Sequence, residues 1–417
     1  MREPGASDDM PAGGRAVRAP IVIAGCGAVS AVGCGLEPLL AALKNNSSGL
    51  LASEKFPPPR FQANIVGAAL ERGQLVRQFR DDLPAGGRAV RAPNDDPAWT
   101  LAAEALRQAC AAAKNILEKI PAARIALVLS TTKANITALE LISENQPCSE
   151  TARRHLRADL LAEDLAKAFG AHGSVQAVSV ACVSGLVAIS QGAKIIQRGE
   201  ADAVLVVGVD VLSEFVVSGF TALKALDPLG CRPFDAARCG LSPGEAGAAL
   251  ALVRQDLAPQ SKIKIRAFGG SNDANHLTGP SRDGSGLAQA IRAALDAAKL
   301  SPAEIDLVHA HGTGTPYNDA MEALALKTIF GDACPPVSGA KGMLGHTLGA
   351  AGVIETICCV LAMENNFLPG TPRLGSPAEG SPKNLLRGPQ AGVRLKNVLK
   401  LNTGFGGMNG ALVLSGG

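Results

Sequence analysis

Aromatic side chains are scarce in this chain, 3% of 417 residues, with a single Trp and a single Tyr. Stacking platforms for single-stranded nucleic acid are therefore missing, and no dense basic run follows a phosphate backbone, so no nucleic-acid partner is expected. The ten cysteines include no C-x-x-C pair. That argues against a zinc ribbon or a redox dithiol and fits a reducing, cytoplasmic setting. No apolar run reaches the roughly 20 residues that span a bilayer, so no membrane segment is expected either. Two nucleotide signatures are also missing. Gly25-x-Gly27, after the strand-like IVIAG, lacks the third glycine and the acidic residue about 20 positions on that a dinucleotide loop needs. The GTGT run at Gly312 has no G-x-x-x-x-G-K-[ST], and Lys341 is followed by Gly342.

What remains is 47% hydrophobic and 18% charged with a net charge of +3, enough for a large core and two half-domains. The organising stretch is SVQAVSVACVSGLVAISQGAKIIQRG, Ser174 to Gly199. Val175, Val178 and Val180 suit a buried strand, and Val183 to Ile196 suit a helix apolar nearly all round, which places Cys182 at a strand-to-helix corner. There the free N–H groups and the helix dipole would favour a thiolate, lower the thiol pKa and make a nucleophile. The alternative at this point is a small buried apolar residue, the commonest fate of a free cysteine.

Around that corner the chain alternates strands and helices. Residues 1–20 read as a disordered tail, and their DDMPAGGRAVRAP recurs as DDLPAGGRAVRAP at Asp81–Pro93, a local duplication. Leu36–Leu43 and the Ala-rich Pro97–Ile120 predict helices, Arg124–Leu129 and Ala201–Val209 predict strands, and Asp256–Lys262 predicts the seam between halves 21–257 and 258–417. The second half repeats the grammar. Gly286–Lys299 predicts a helix, and Ile305–Ala310 a strand running into HGTGTPYNDAMEA. Asp319 and Glu322 then fall one turn apart on a helix, and His346 lies near the start of another. His309-x-His311 on one strand, with His346, would also suit zinc, but that reading leaves Asp319, Glu322 and Lys341 without a role.

Taken in order, VACVSG, PFDAARCGLSPGEAG, HGTGTPYNDAMEA, KGMLGHTLGAAG and GFGGMNG resemble the β-ketoacyl-acyl-carrier-protein synthases, from Ile21 to the end, and more narrowly the elongating Cys-His-His type. The resemblance implies the thiolase fold: two similar βαβαβαββ halves in a five-layered αβαβα sandwich, with acyl-carrier protein as partner and no cofactor or metal. A homodimer is usual, a heterodimer with a ketosynthase-like partner the alternative. It implies Cys182 as the acyl-accepting nucleophile, His311 and His346 as the paired histidines of condensation, and Lys341 as an active-site lysine paired with Glu322. Asp319 supports, Thr313 and Thr315 meet the phosphopantetheine arm, and the N–H groups of Cys182 and Phe405 form an oxyanion hole with Phe405 as gate. The sequence departs from the pattern at Thr403, where an aromatic is usual, at Met408, where threonine is common, and over Lys133–His172. A chain-length-factor subunit shares the fold but usually lacks the cysteine that Cys182 supplies.

Overall fold

The computed structural model describes residues 19–69 and 95–417. Apart from Ala19 and Pro20, the expected tail lies outside them, as does the second copy of the duplicated segment. The first half runs β1 (Ile21–Ser30), α1 (Leu36–Asn45), α2 (Pro97–Ala112), β2 (Ile125–Ser130), α3 (Ala158–Ala168), β3 (Val175–Val178), α4 (Ser184–Gln197), β4 (Ala203–Asp210), α5 (Glu214–Ala222) and β5 (Ala246–Arg254). The second runs β6 (Lys264–Asn272), α6 (Ser285–Ala298), β7 (Leu307–His309), α7 (Pro316–Phe330), β8 (Val337–Ser338), α8 (Ala351–Glu364), β9 (Asn397–Gly404) and β10 (Met408–Ser415).

Strand order shows the duplication directly. The first half pairs as β1-β5-β4-β2-β3 and the second as β6-β10-β9-β7-β8, so each sheet takes its own strands in the order 1-5-4-2-3. Directions match too: the first two pairings of each sheet are antiparallel and the last two parallel. Two residue pairs, Ile21 with Ile265 and Val22 with Lys264, join β1 to β6 and make the two sheets one hydrogen-bonded surface.

Except in β3 and β6, the strands are buried on both faces, which is why they read as continuous apolar runs rather than alternating ones. In β4, Val204 and Val206 face a central layer while Leu205 and Val207 face an outer one. The central layer is α4 and α8, packed between the sheets. The outer layers are α2 with α3 on one side and α6 with α7 on the other, which completes the five-layered thiolase sandwich. Two close approaches fix it. A Cβ on Gly27 would lie 2.0 Å from the Ala105 carbonyl oxygen, so glycine there lets α2 lie down on β1. A Cβ on Gly185 would lie 2.7 Å from the Gly352 Cα, so only glycine lets α4 and α8 cross at the distance that sets the site.

Several expectations need correction. The Pro97–Ile120 helix ends at Ala112, because Ala113 is buried against Gly25 and a short Lys114–Leu117 turn folds Ile116 and Ile120 back to the core. The strand before Cys182 is not a buried one. It stops at Val178 and is half-exposed, because among the described residues β3 is the last strand of its sheet and bonds only to β2. His346 lies five residues ahead of α8 rather than near its start, in a stretch broken from the Lys341–Leu344 turn by Gly345 at φ 74°.

Candidate active site

The corner at Cys182 is built by one residue following another. Ala181 adopts φ 46°, a left-handed turn, and Ser184 staples it: its hydroxyl accepts the Val180 N–H at 2.7 Å and donates to the Ala181 carbonyl at 2.6 Å. Cys182 is thereby turned away from the sheet, two residues before α4, into a cavity of about 740 Å³. The thiol packs on Val216 and Leu348, with Phe220 beside them. Gly404 passes so near that a Cβ there would stand 3.1 Å from the Cys182 nitrogen.

His311 and His346 reach the same cavity from the second half, their rings edge to face with centroids 5.2 Å apart. His346 hangs from the PFDAARCGLSPGEAG loop: its N–H donates to the Ser242 carbonyl and its carbonyl accepts from the Gly244 N–H. The hydrogen bonds also place the protons. Lys341 Nζ lies 3.2 Å and Asn402 Nδ2 3.0 Å from His311 Nδ1. Both are donors, so His311 Nδ1 accepts and its proton sits on Nε2. His346 Nδ1 accepts the Leu348 N–H at 3.4 Å, which likewise leaves the proton on Nε2, 3.0 Å from Cys182 Sγ. Both imidazoles are neutral: burial, with Lys341 next, pushes His346 down to about 3 and His311 well below its ordinary value.

The expected thiolate is not what this pocket favours at rest. Burial pushes the Cys182 thiol up to about 12, and the positive charge of Lys341 does not offset it. A helix terminus contributes about 0.3–1 kcal/mol, too little against loss of water around a charged sulfur.

The expected Lys341–Glu322 pair is also replaced. Both Glu322 oxygens are occupied by the N–H groups of His311 and Gly312, at 2.6 and 2.8 Å, so Glu322 shapes the HGTGT loop. Asp319 does the same for Thr313 and Gly314 and also accepts from the Phe234 N–H. Lys341 instead donates to Glu355 of α8 at 2.6 Å and to the His311 carbonyl at 2.6 Å. Glu355 in turn holds Lys400 of β9 at 2.7 Å. Burial alone would raise the Glu355 carboxyl, yet Lys341 and Lys400 hold it at about 2.

Thr313 and Thr315 line the cavity with their hydroxyls 2.8 Å apart. Phe405 is exposed at its mouth with its ring against Phe220, 6.1 Å between centroids. Thr403 is fixed, its hydroxyl donating to Asn318 at 2.7 Å. His309 sits behind the site, beside Lys400 and Glu355. Among the described residues no three His, Cys, Asp or Glu side chains are placed to hold a metal ion.

Sequence reasoning missed Glu355, Lys400 and Asn402. A signal existed for two of them: an acid inside the otherwise apolar VIETICCV and a lysine inside NVLKL are charges in runs that only a buried partner would tolerate.

The Beta-ketoacyl synthase N-terminal domain profile matches residues 18–258 and the C-terminal domain profile residues 263–374. The chain belongs to the beta-ketoacyl synthase family. The synthase is 35% identical over 318 residues, 70% of its length and 75% of the relative's, to a polyketide beta-ketoacyl synthase 1 of Streptomyces halstedii. It is 32% identical to the 3-oxoacyl-acyl-carrier-protein synthase 2 of Vibrio cholerae, over 94% of this chain and 98% of that one. A chain in the solved structure of the ishigamide ketosynthase/chain length factor superposes with a TM-score of 0.86 at 28% identity, covering 96% of this chain and 100% of that one. The synthase is accordingly an acyltransferase that forms carbon–carbon bonds in fatty acid or polyketide biosynthesis.

Proposed function

We propose that the synthase condenses an acyl group held on Cys182 with malonyl-acyl-carrier protein, using the residues of this cavity in separate roles. The observation that carries it is the pair of Nε2–H groups, on His311 and His346, both turned into the pocket that holds the thiol. In the first half-reaction the Cys182 sulfur attacks the thioester carbonyl of an acyl carrier. The His346 Nε2–H donates to the sulfur as it gains charge, and the carrier leaves as its thiol with the cysteine proton. Thioester is exchanged for thioester, so little driving force is needed.

In the second, a malonyl thioester loses CO₂. The electron pair of the broken bond moves onto the thioester oxygen, where two neutral N–H donors in a dry site receive it, one such donor being typically worth about 3 kcal/mol. The enolate carbon attacks the acyl-Cys182 carbonyl and the new oxyanion meets the N–H groups of Cys182 and Phe405. As the oxyanion collapses, the carbon–sulfur bond to Cys182 breaks, the sulfur takes up a solvent proton to return as the thiol, and a β-ketoacyl chain two carbons longer leaves on its carrier. Thr313 and Thr315 receive the phosphopantetheine arm. The chemistry is complete with thioesters and side chains, so we assign no cofactor and no metal.

We assign acyl-carrier protein as partner, and a second ketosynthase-like chain at β3, which is half-exposed and whose outer edge bonds to no strand among the described residues. A homodimer is the first reading; the similarity to a ketosynthase/chain length factor structure supports a heterodimer as the second. We place the reaction in the cytoplasm; no described helix is long and apolar enough to cross a membrane. The test is intact mass spectrometry with a panel of acyl carriers, followed by CO₂ release from malonyl carrier. Acyl adducts on Cys182 and release of CO₂ are expected. No adduct from any carrier, with Cys182 intact and the protein folded, would reject the assignment.

A further inference from the structure

Lys341 stands beside His311 Nδ1, and behind it the site holds a second buried lysine. Lys400 lies on β9 between Leu399 and Leu401, whose side chains pack into the outer layer beside α6 and α7. Strand alternation therefore turns Lys400 the other way, into the central layer under α8. There it is fully buried, donates to the Leu401 carbonyl and to Glu355 Oε2, and shares that one carboxylate with Lys341, which holds Oε1. The pair Lys341–Glu355 alone would be neutral. Lys400 leaves the cluster with one net positive charge, sealed from water, directly behind the imidazole of His311. A buried charge that serves only stability is a poor design, since an apolar residue of the same volume would do as well or better.

We propose that Lys400 is a positioning residue for decarboxylation: by sharing Glu355 it keeps the buried cluster net positive, so that Lys341 polarises His311 Nδ1 and strengthens the Nε2–H that receives the enolate oxygen. The proposal rests on the condensation reading above. Every group packed near Lys400 fits this role. Glu355, Cys358 and Cys359 face it from α8, His309 from β7, Lys341, His311 and His346 from the site, and Glu322 from α7. His309 is neutral, burial and then Lys400 pushing it down to about 3. Burial lowers the pKa of Lys400 from its ordinary value while Glu355 opposes the shift. Its charge is therefore lost at less alkaline pH than a free lysine's, and decarboxylation falls with it.

The experiment compares CO₂ release from malonyl-acyl-carrier protein with formation of acyl-Cys182, in wild type, K400M and the double variant K400M/E355Q, each checked for thermal melting. K400M should slow CO₂ release about tenfold or more, less than loss of a direct oxyanion donor, while acylation stays within about threefold. K400M/E355Q returns the cluster to one positive charge through Lys341 alone and should recover part of the lost rate. In wild type, CO₂ release should fall on an alkaline limb, and K400M should lack that limb. Equal loss of both half-reactions in K400M, or a double variant slower than the single, overturns the proposal. If K400M does not fold, a wild-type CO₂ release flat to about pH 10 overturns it, and an alkaline limb absent from acylation supports it. A wild-type protein that releases no CO₂ from any malonyl carrier would overturn the condensation reading instead, and this proposal with it.

Discussion

Replacing His346 by alanine should separate the two roles proposed for that side chain. Its Nε2–H lies 3.0 Å from Cys182 Sγ and its Nδ1 accepts the Leu348 N–H, so the imidazole cannot take the thiol proton at Nε2 without first losing its own. It is a donor to sulfur, not its base. A hydrogen bond to a charged group contributes about 1.5–3 kcal/mol, so acylation of Cys182 should slow by about one to two powers of ten and still go to completion. Decarboxylation loses one of two oxyanion donors and should slow about a hundredfold or more. The imidazole at the thiol is that of His346, whereas His311 Nδ1 is engaged by Lys341 and Asn402. His311→Ala should therefore spare acylation while slowing decarboxylation by the same order, and the double variant should fall little below either single one, as expected of groups that act as a unit. The assay is the mass of the acyl-enzyme over time beside CO₂ released from labelled malonyl carrier. Were His346→Ala to abolish acylation and leave CO₂ release intact, the imidazole would be the base for Cys182, and the placement of its proton on Nε2 would be wrong.

Three further outcomes follow from the geometry. Because burial pushes the Cys182 thiol up to about 12, alkylation of the resting enzyme by iodoacetamide should be slow at neutral pH and climb steadily into the alkaline range; a midpoint below pH 7 would contradict the buried thiol. Phe405→Ala removes the ring that meets Phe220 at the cavity mouth and should change acylation rates unevenly across acyl lengths, whereas equal rates along a panel would mean the ring does not screen the entrance. His155 is buried between Asp96 and Asp164 at 2.5 and 3.1 Å, and although burial works against its charge, these carboxylates raise its pKa. A raised folded pKa contributes stability that is fully present below the ordinary histidine value of about 6.5 and is lost as pH rises through the folded one. The melting deficit of His155→Gln should thus be greatest in acid and shrink toward alkaline pH, and a deficit that grows with pH would refute it.

The fold was legible because its signals are local and repeated. Both sheets are covered on two faces, so strands such as Ala203–Asp210 appear as unbroken apolar runs between helical patterns. Cys182, His311, His346 and Lys341 were legible for another reason: each stands beside glycines or at a strand end, where side chains reach a ligand. Partnership was not legible. Whether Lys341 meets Glu322 or Glu355 depends on which carboxylate the loop backbone has already occupied, and no spacing reports that. The thiol's pKa was misjudged because a helix start can be seen in sequence while the apolar walls that outweigh it, Val216 and Leu348, come from distant segments.

The two halves share one strand order, yet they differ at the corner between their third strand and central helix. In the first, the chain passes from β3 to α4 in a few residues and leaves Cys182 there; in the second, the passage from β8 to α8 is longer and carries Lys341 and His346. A site at the axis between two such repeats inherits two equivalent corners facing one cavity, of which only one is required to bear a nucleophile. The other is released from that duty and can vary in length and composition without disturbing the sheet behind it. Duplication thus supplies an enzyme of this kind with a spare corner, and in this chain that corner carries Lys341 and His346.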